Sequence, residues 1–157
     1  MQNTRSDNKL KRSILVNTVD CLCAILLIGC TAWVGLKYGS MPERIPVHYG
    51  LNGVADGYES KSAIWTVIVF AWFEIGLVSL VEQFLKFRKA RQENTPSRLR
   101  SAWHLLSTTK LAIACMFTYI AVMSASCRNL PEWFAAIAIA VFGANSLFWT
   151  IKVIRNR

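Results

Sequence analysis

Four apolar blocks, each about 23 residues long, limit what this chain can fold into. They run over Ile14–Leu36, Ala63–Leu85, Trp103–Ser126 and Glu132–Ile154. About 20 predominantly apolar residues in helical form cross the hydrocarbon core of a bilayer. A segment in that core must satisfy its own backbone hydrogen bonds, which for a single run of this length means an α-helix. The chain is 54% hydrophobic, above the roughly 45–50% of soluble domains, and the excess is concentrated in these blocks. The expected fold is an all-α integral membrane protein, a bundle of four transmembrane helices. Short connections make successive helices antiparallel neighbours.

The polar segments divide the chain further. Residues 1–13 form a basic tail with Arg5, Lys9, Lys11 and Arg12. Residues 14–85 comprise the first two spans and an intervening cap over 37–62. A basic linker follows over 86–102, broken by Pro96, and residues 103–157 form a second helical hairpin with a short tail. The linker is expected to begin as an overhanging helical turn, stop before Pro96 and restart as the third helix.

The formal net charge is +9, yet the basic residues lie between apolar blocks and no nucleic-acid-binding motif accompanies them. Nucleic acid is therefore not an expected partner; the lipid bilayer is. Of the 18 Lys and Arg residues, the tail, the linker with Lys110, and the C-terminal end hold all but four. Those four are Lys37, Arg44, Lys61 and Arg128. Basic loops stay in the cytoplasm, so both termini are expected inside and the cap outside a bacterial cytoplasmic membrane.

The cap, Met41-Pro42-Glu43-Arg44-Ile45-Pro46-Val47-His48-Tyr49-Gly50-Leu51-Asn52-Gly53-Val54-Ala55-Asp56-Gly57-Tyr58-Glu59-Ser60-Lys61, carries residue choices that a membrane alone does not explain. Two prolines hold Arg44-Ile45-Pro46 extended. Asn52-Gly53 and Asp56-Gly57 both read as turns, leaving Val47-His48-Tyr49 room for only a short strand. The segment resembles the small domain of unknown function at the start of SdpI-type immunity proteins and many bacterial membrane proteins. In that family a first membrane helix precedes Leu/Met-Pro-x-x-Ile-Pro-x-His, an Asn/Ser-Gly turn, an Asp-Gly pair and a Lys opening the second helix. Pro42, Ile45, Pro46, His48, Gly53, Asp56, Gly57 and Lys61 occupy those places. With its flanking helices, the resemblance covers roughly the first half of the chain.

Several polar side chains fall inside the apolar blocks: Asn17, Asp20, Glu74, Glu82, Lys110 and Asn145. A charge at mid-bilayer costs about 2.5–3.5 kcal/mol on insertion scales, so each needs a partner or a purpose. The depths of Asp20, Glu82 and Lys110 permit a charge cluster, with Arg88 or Lys86 available from the boundary, and structural glue is the preferred reading. Glu74 and Asn145 both sit near the middle of their blocks and are expected to share hydrogen bonds. The competing reading makes Asp20, Glu74 and Glu82 part of a proton or cation path. Trp33, Trp65, Trp103, Trp133 and Trp149 fit interfacial belts, whereas Trp72 lies deeper.

No catalytic residue, metal site or cofactor is expected. The Gly-x-Ser-x-Gly, phosphate-loop and His-Glu-x-x-His patterns are missing, and the cap has one histidine where a catalytic zinc normally takes three protein ligands. His48 paired with Asp56 or a turn carbonyl, holding the cap's shape, is preferred over a recognition role, and recognition over metal chemistry. None of Cys21, Cys23, Cys30, Cys115 and Cys127 forms a Cys-x-x-Cys pair, and they read as small hydrophobes. A Cys30–Cys127 disulfide is conceivable. Leu27-Ile28-Gly29-Cys30 resembles a lipobox, but Asn17, Thr18 and Asp20 interrupt a signal core and the apolar run continues to Leu36, which favours an uncut helix.

Three classes of function follow. The resemblance implies a non-enzymatic protection protein, in which His48, Tyr49, Asp56 and Tyr58 meet a membrane-active peptide toxin. The family's full immunity architecture carries further helices beyond the four blocks read here. An accessory or signalling subunit would hold a partner protein through the basic linker. A small proton- or ion-coupled transporter would use Glu74 and Asp20. The narrow bundle leaves lipid-facing surface for a homodimer or another membrane protein.

Overall fold

The computed structural model of the protein describes residues 14–90 and 97–155. Among these, four helices are long and apolar enough to cross a membrane. They are α1 (Ile14–Lys37), α2 (Ala63–Ala90), α3 (Ser97–Ala125) and α4 (Phe134–Arg155). Between α1 and α2 come a 3₁₀ turn over Tyr38–Ser40 and two antiparallel strands, β1 (Arg44–Tyr49) and β2 (Ala55–Ser60). Helix α2 runs five residues beyond the apolar block, and α3 starts ahead of its own block. The linker's ends are thus helical, while residues 91–96 and the side chains of 86–90 and 97–101 lie outside the described set.

Two expectations are corrected here. The fold is not purely α-helical, because the cap is a β-hairpin with six-residue strands. Nor is Asp56-Gly57 a turn: both residues lie within β2, and His48 pairs with Gly57 at an irregularity in the ladder. A Cβ on Gly57 would stand 2.8 Å from the His48 Cβ, so glycine serves here to let a side chain cross above it. The hairpin turn is made at Gly50–Gly53, where the Gly53 amide donates to the Gly50 carbonyl at 2.8 Å. In a two-stranded sheet every strand is an edge strand, which tolerates Pro46.

Helix α3 is the centre of the bundle and packs against α1, α2 and α4. Its buried face reads Ser107, Lys110, Ala114, Ala121, Ser124 and Ala125, a helical spacing of mostly small residues. Small side chains let helix backbones approach closely in lipid, where packing rather than water exclusion drives association. Toward the cap, Cys30, Val34, Ile64, Ile68, Ala121 and Ala125 form one apolar cluster together with Met41 and Ile45 of the cap. Toward the other end, Val19, Cys23 and Ala114 form a second. Helix α4 packs on α3 and leaves most of its apolar surface exposed. Pro131 stands three residues before the first residue of α4, in a turn closed by the Phe134 amide on the Pro131 carbonyl at 2.9 Å. All five cysteines are free thiols, Cys30 and Cys127 included.

Candidate functional site

The cap is fastened at both ends. At its base, the Lys61 amide donates to the Glu43 carbonyl and Lys61 Nζ meets Glu43 Oε1, both at 2.9 Å. Lys61 also lies over the Tyr38 ring, 5.6 Å from its centroid. Ile45 and Pro46 are fully buried and face inward. Arg44 Nη2 donates to the Tyr58 carbonyl at 2.9 Å, tying one strand to the other.

At its tip, the hairpin docks on the loop between α3 and α4. The Leu130 amide donates to the Gly53 carbonyl at 2.9 Å, and the Ala55 amide donates to Asn129 Oδ1 at 3.0 Å. Gly53 has a φ of +78°, and a Cβ there would lie 2.3 Å from the Leu130 carbonyl oxygen. Only glycine meets both demands. The Tyr49 hydroxyl donates to the Arg128 carbonyl at 3.2 Å and lies 3.2 Å from Ser124 Oγ. Burial raises the Tyr49 phenol above its ordinary pKa, against a smaller lowering by the Ser124 hydroxyl.

What remains outward is a mixed surface. His48 Nδ1 and Asp56 Oδ1 are 2.5 Å apart, with both side chains more than half exposed (74% and 54%). Tyr58, Leu51 and Val54 are exposed beside them. The expected cap residues thus separate by role: His48, Asp56 and Tyr58 face outward, whereas Tyr49 is directed at α3. Among the described residues, no three His, Cys, Asp or Glu side chains gather as a metal site.

A second polar centre lies within the helices, away from the cap. Lys110 of α3 is buried and donates to three groups: Asp20 of α1, Glu82 Oε2 of α2 at 2.9 Å, and Ser79 Oγ at 3.3 Å. Ser107 Oγ donates to Glu82 Oε1 at 2.9 Å. The expected cluster therefore forms, and it joins three helices at one point. Ser79 and Ser107 join the cluster without having been expected, although Ser79–Glu82 and Ser107–Lys110 each stand three residues apart on one helix face.

The expected Glu74–Asn145 pair is corrected. Asn145 Nδ2 donates to Thr109 Oγ1 at 2.9 Å, and Asn145 Oδ1 accepts from Thr108 Oγ1 at 2.7 Å. Asn145 thus spends its amide on α3, the helix against which α4 packs. Glu74 is half-buried, and among the described residues no hydrogen bond or ion pair reaches it. Trp72 Nε1 donates to Thr31 Oγ1 at 3.2 Å, a polar contact between α2 and α1 that its depth alone did not suggest.

Fold and site together describe a multi-pass membrane protein with a folded β-hairpin joining its first two spans. Residues 25–71 match the family model described as a domain of unknown function, DUF1648. This is the domain found in SdpI-type proteins. The matched stretch takes in the second half of α1, the whole cap and the start of α2. The residues that receive the cap's tip, Ser124 to Leu130, lie beyond it. No curated protein and no solved structure matches the chain.

Proposed function

We propose that the protein is a non-enzymatic protection protein, its cap recognising a membrane-active peptide much as the SdpI-type resemblance implies. The observation that carries this reading is the double fastening of the cap. A loop that only connected two helices would not need the Gly53–Leu130 and Ala55–Asn129 bonds to a distant hairpin. Such fastening holds His48, Asp56 and Tyr58 in one arrangement, which lowers the entropy lost when a partner binds. Exposed Leu51 and Val54 give that surface an apolar component suited to an amphipathic peptide. The lysine and arginine distribution orients the cap outward, with both termini in the cytoplasm of a bacterium.

The test is survival of a sensitive bacterium exposed to an SdpC-type toxin peptide, with and without this protein at matched expression. Protection by wild type and Glu74→Gln, but not by His48→Ala or Tyr58→Ala, supports the cap as the recognition surface. Equal killing of all strains refutes immunity to that peptide. A reporter fused after Arg157 that is active only outside the cell overturns the orientation.

One observation favours a second reading, a small proton- or ion-coupled carrier. Glu74 stands near the middle of α2 without a partner among the described residues, and an intramembrane carboxyl is costly without a purpose. Loaded vesicles in which Glu74→Gln leaves flux unchanged eliminate that carrier.

A further inference from the structure

Helices α3 and α4 touch at two levels and part between them. At one level Thr108 and Thr109 bond Asn145, with His104 stacked on Trp149 at 5.3 Å just beyond. At the other, Tyr119 stacks on Phe134, also at 5.3 Å. The gap is an open groove of about 550 Å³. It is lined almost wholly by apolar atoms, with Leu111, Cys115 and Met116 on one wall and Ile137, Ala138 and Phe142 on the other. A volume of this size lies within the usual range for ligand pockets.

Dimensions decide the occupant. The lining of α3 from Thr108 to Tyr119 rises roughly 16 Å, and that of α4 from Phe134 to Phe142 roughly 12 Å. One leaflet of a bilayer's hydrocarbon core is about 15 Å deep. The groove starts at Trp133 and Phe134, where α4 begins on the cap side, and ends near the middle of that helix. A transmembrane helix from a second copy would run on past the middle of the bilayer, where this groove stops, whereas a single acyl chain ends there. Trp133 at the mouth suits the headgroup level, and the polar Asn145–Thr108–Thr109 contact closes the inner end.

We infer that the α3–α4 groove is a binding site for one acyl chain of a phospholipid from the leaflet on the cap side. The acyl chain completes the packing of α4, whose main neighbour among the described residues is α3. Its headgroup then lies beside the loop that receives the cap's tip, so the lipid and the cap share one structural support.

The full chain, reconstituted in phosphatidylcholine vesicles containing a phospholipid with a diazirine on one acyl chain, is irradiated and the adducts mapped by mass spectrometry. Adducts are expected to concentrate on residues 111–116 and 137–142. Filling the groove with Ala112→Phe or Ala138→Phe should reduce them roughly tenfold, the loss of about two buried methylenes' worth of transfer energy. Ala140→Phe, at an exposed position of α4 outside the groove lining, should leave them unchanged. Helicity and thermal transition are compared for every variant, and Ala112→Leu substitutes if a phenylalanine perturbs the fold. Adducts spread evenly over exposed Phe73, Ile139 and Phe148, unchanged by the filling variants, overturn the proposal. Copy-to-copy cross-links through the groove overturn it as well, since a second protein would then hold the site.

Discussion

Replacing Lys110 with methionine keeps most of the side chain's length and removes its charge. The consequence follows from what surrounds it. Lys110 is 1% exposed and Glu82 2%, so that pair is dry, whereas Asp20 at 26% retains access to its surroundings. Without the ammonium, Glu82 keeps only the Ser107 hydroxyl among the contacts described above, and a buried carboxylate loses its counter-charge. Breaking a buried pair by removing one partner typically costs about 3–5 kcal/mol, most of it from the charge left behind. Asp20, the fifth residue of its span, lies close to the headgroup region, which moves the expectation toward the lower end, about 3 kcal/mol. The assay is reversible unfolding by sodium dodecyl sulfate in mixed micelles, followed by helicity. A triple variant, Asp20→Asn, Glu82→Gln and Lys110→Met, removes all three charges and should lie within about 1 kcal/mol of wild type, since removing a whole buried ionic group is often nearly neutral. A Lys110→Met variant within about 1 kcal/mol of wild type would refute the reasoning. So would a triple variant no more stable than the single one.

Gly53→Ala should release the cap's tip, because the added Cβ meets the Leu130 carbonyl and φ is positive; amide exchange at Ala55 and Leu130 should rise, with a cost of about 1–3 kcal/mol, while exchange around Lys110 stays unchanged. Tyr49→Phe should cost about 1 kcal/mol from the lost hydroxyl contacts. Its pH effect has a definite sign: the folded phenol titrates above the unfolded one, so its stabilisation is present below pH 10 and lost as pH rises beyond it. Cap protection measured by amide exchange should therefore weaken above pH 10 in wild type and change less in Tyr49→Phe. Asn145→Leu removes two bonds between α4 and α3 and should destabilise the protein by about 1–4 kcal/mol in the same detergent titration, given roughly 0.6–2 kcal/mol for each such bond.

Much of the architecture was legible because bilayer-spanning helices announce themselves one segment at a time. Each block satisfies its own backbone, so length and apolarity locate it without reference to a neighbour. Lys110 with Asp20 and Glu82 was equally legible, since charges at one depth in lipid have few groups to pair with. The prolines marked extended backbone in the cap, and Asn52-Gly53 marked its turn.

Contacts between segments were another matter. Asp56-Gly57 has the composition of a turn, yet it became strand, because Ile45 and Pro46 bury against the helices and draw β2 into register beside β1. Asn145 and Glu74 match in depth, but depth says nothing of angle around the bundle, and α3 stands where Asn145 points. The least apolar span proved to be the central one, for a reason specific to membranes. Polar and small residues are costly against lipid and useful between helices, so α3 turns Ser107, Lys110 and Ser124 inward and leaves the oilier helices outside. Four spans, the charge asymmetry and the cap's resemblance are all readable segment by segment along the chain. That the cap is a hairpin seated on the α3–α4 loop, and that α3 and α4 part to leave a groove, emerges only in three dimensions, because both depend on the relative rotation of packed helices, which no single segment encodes.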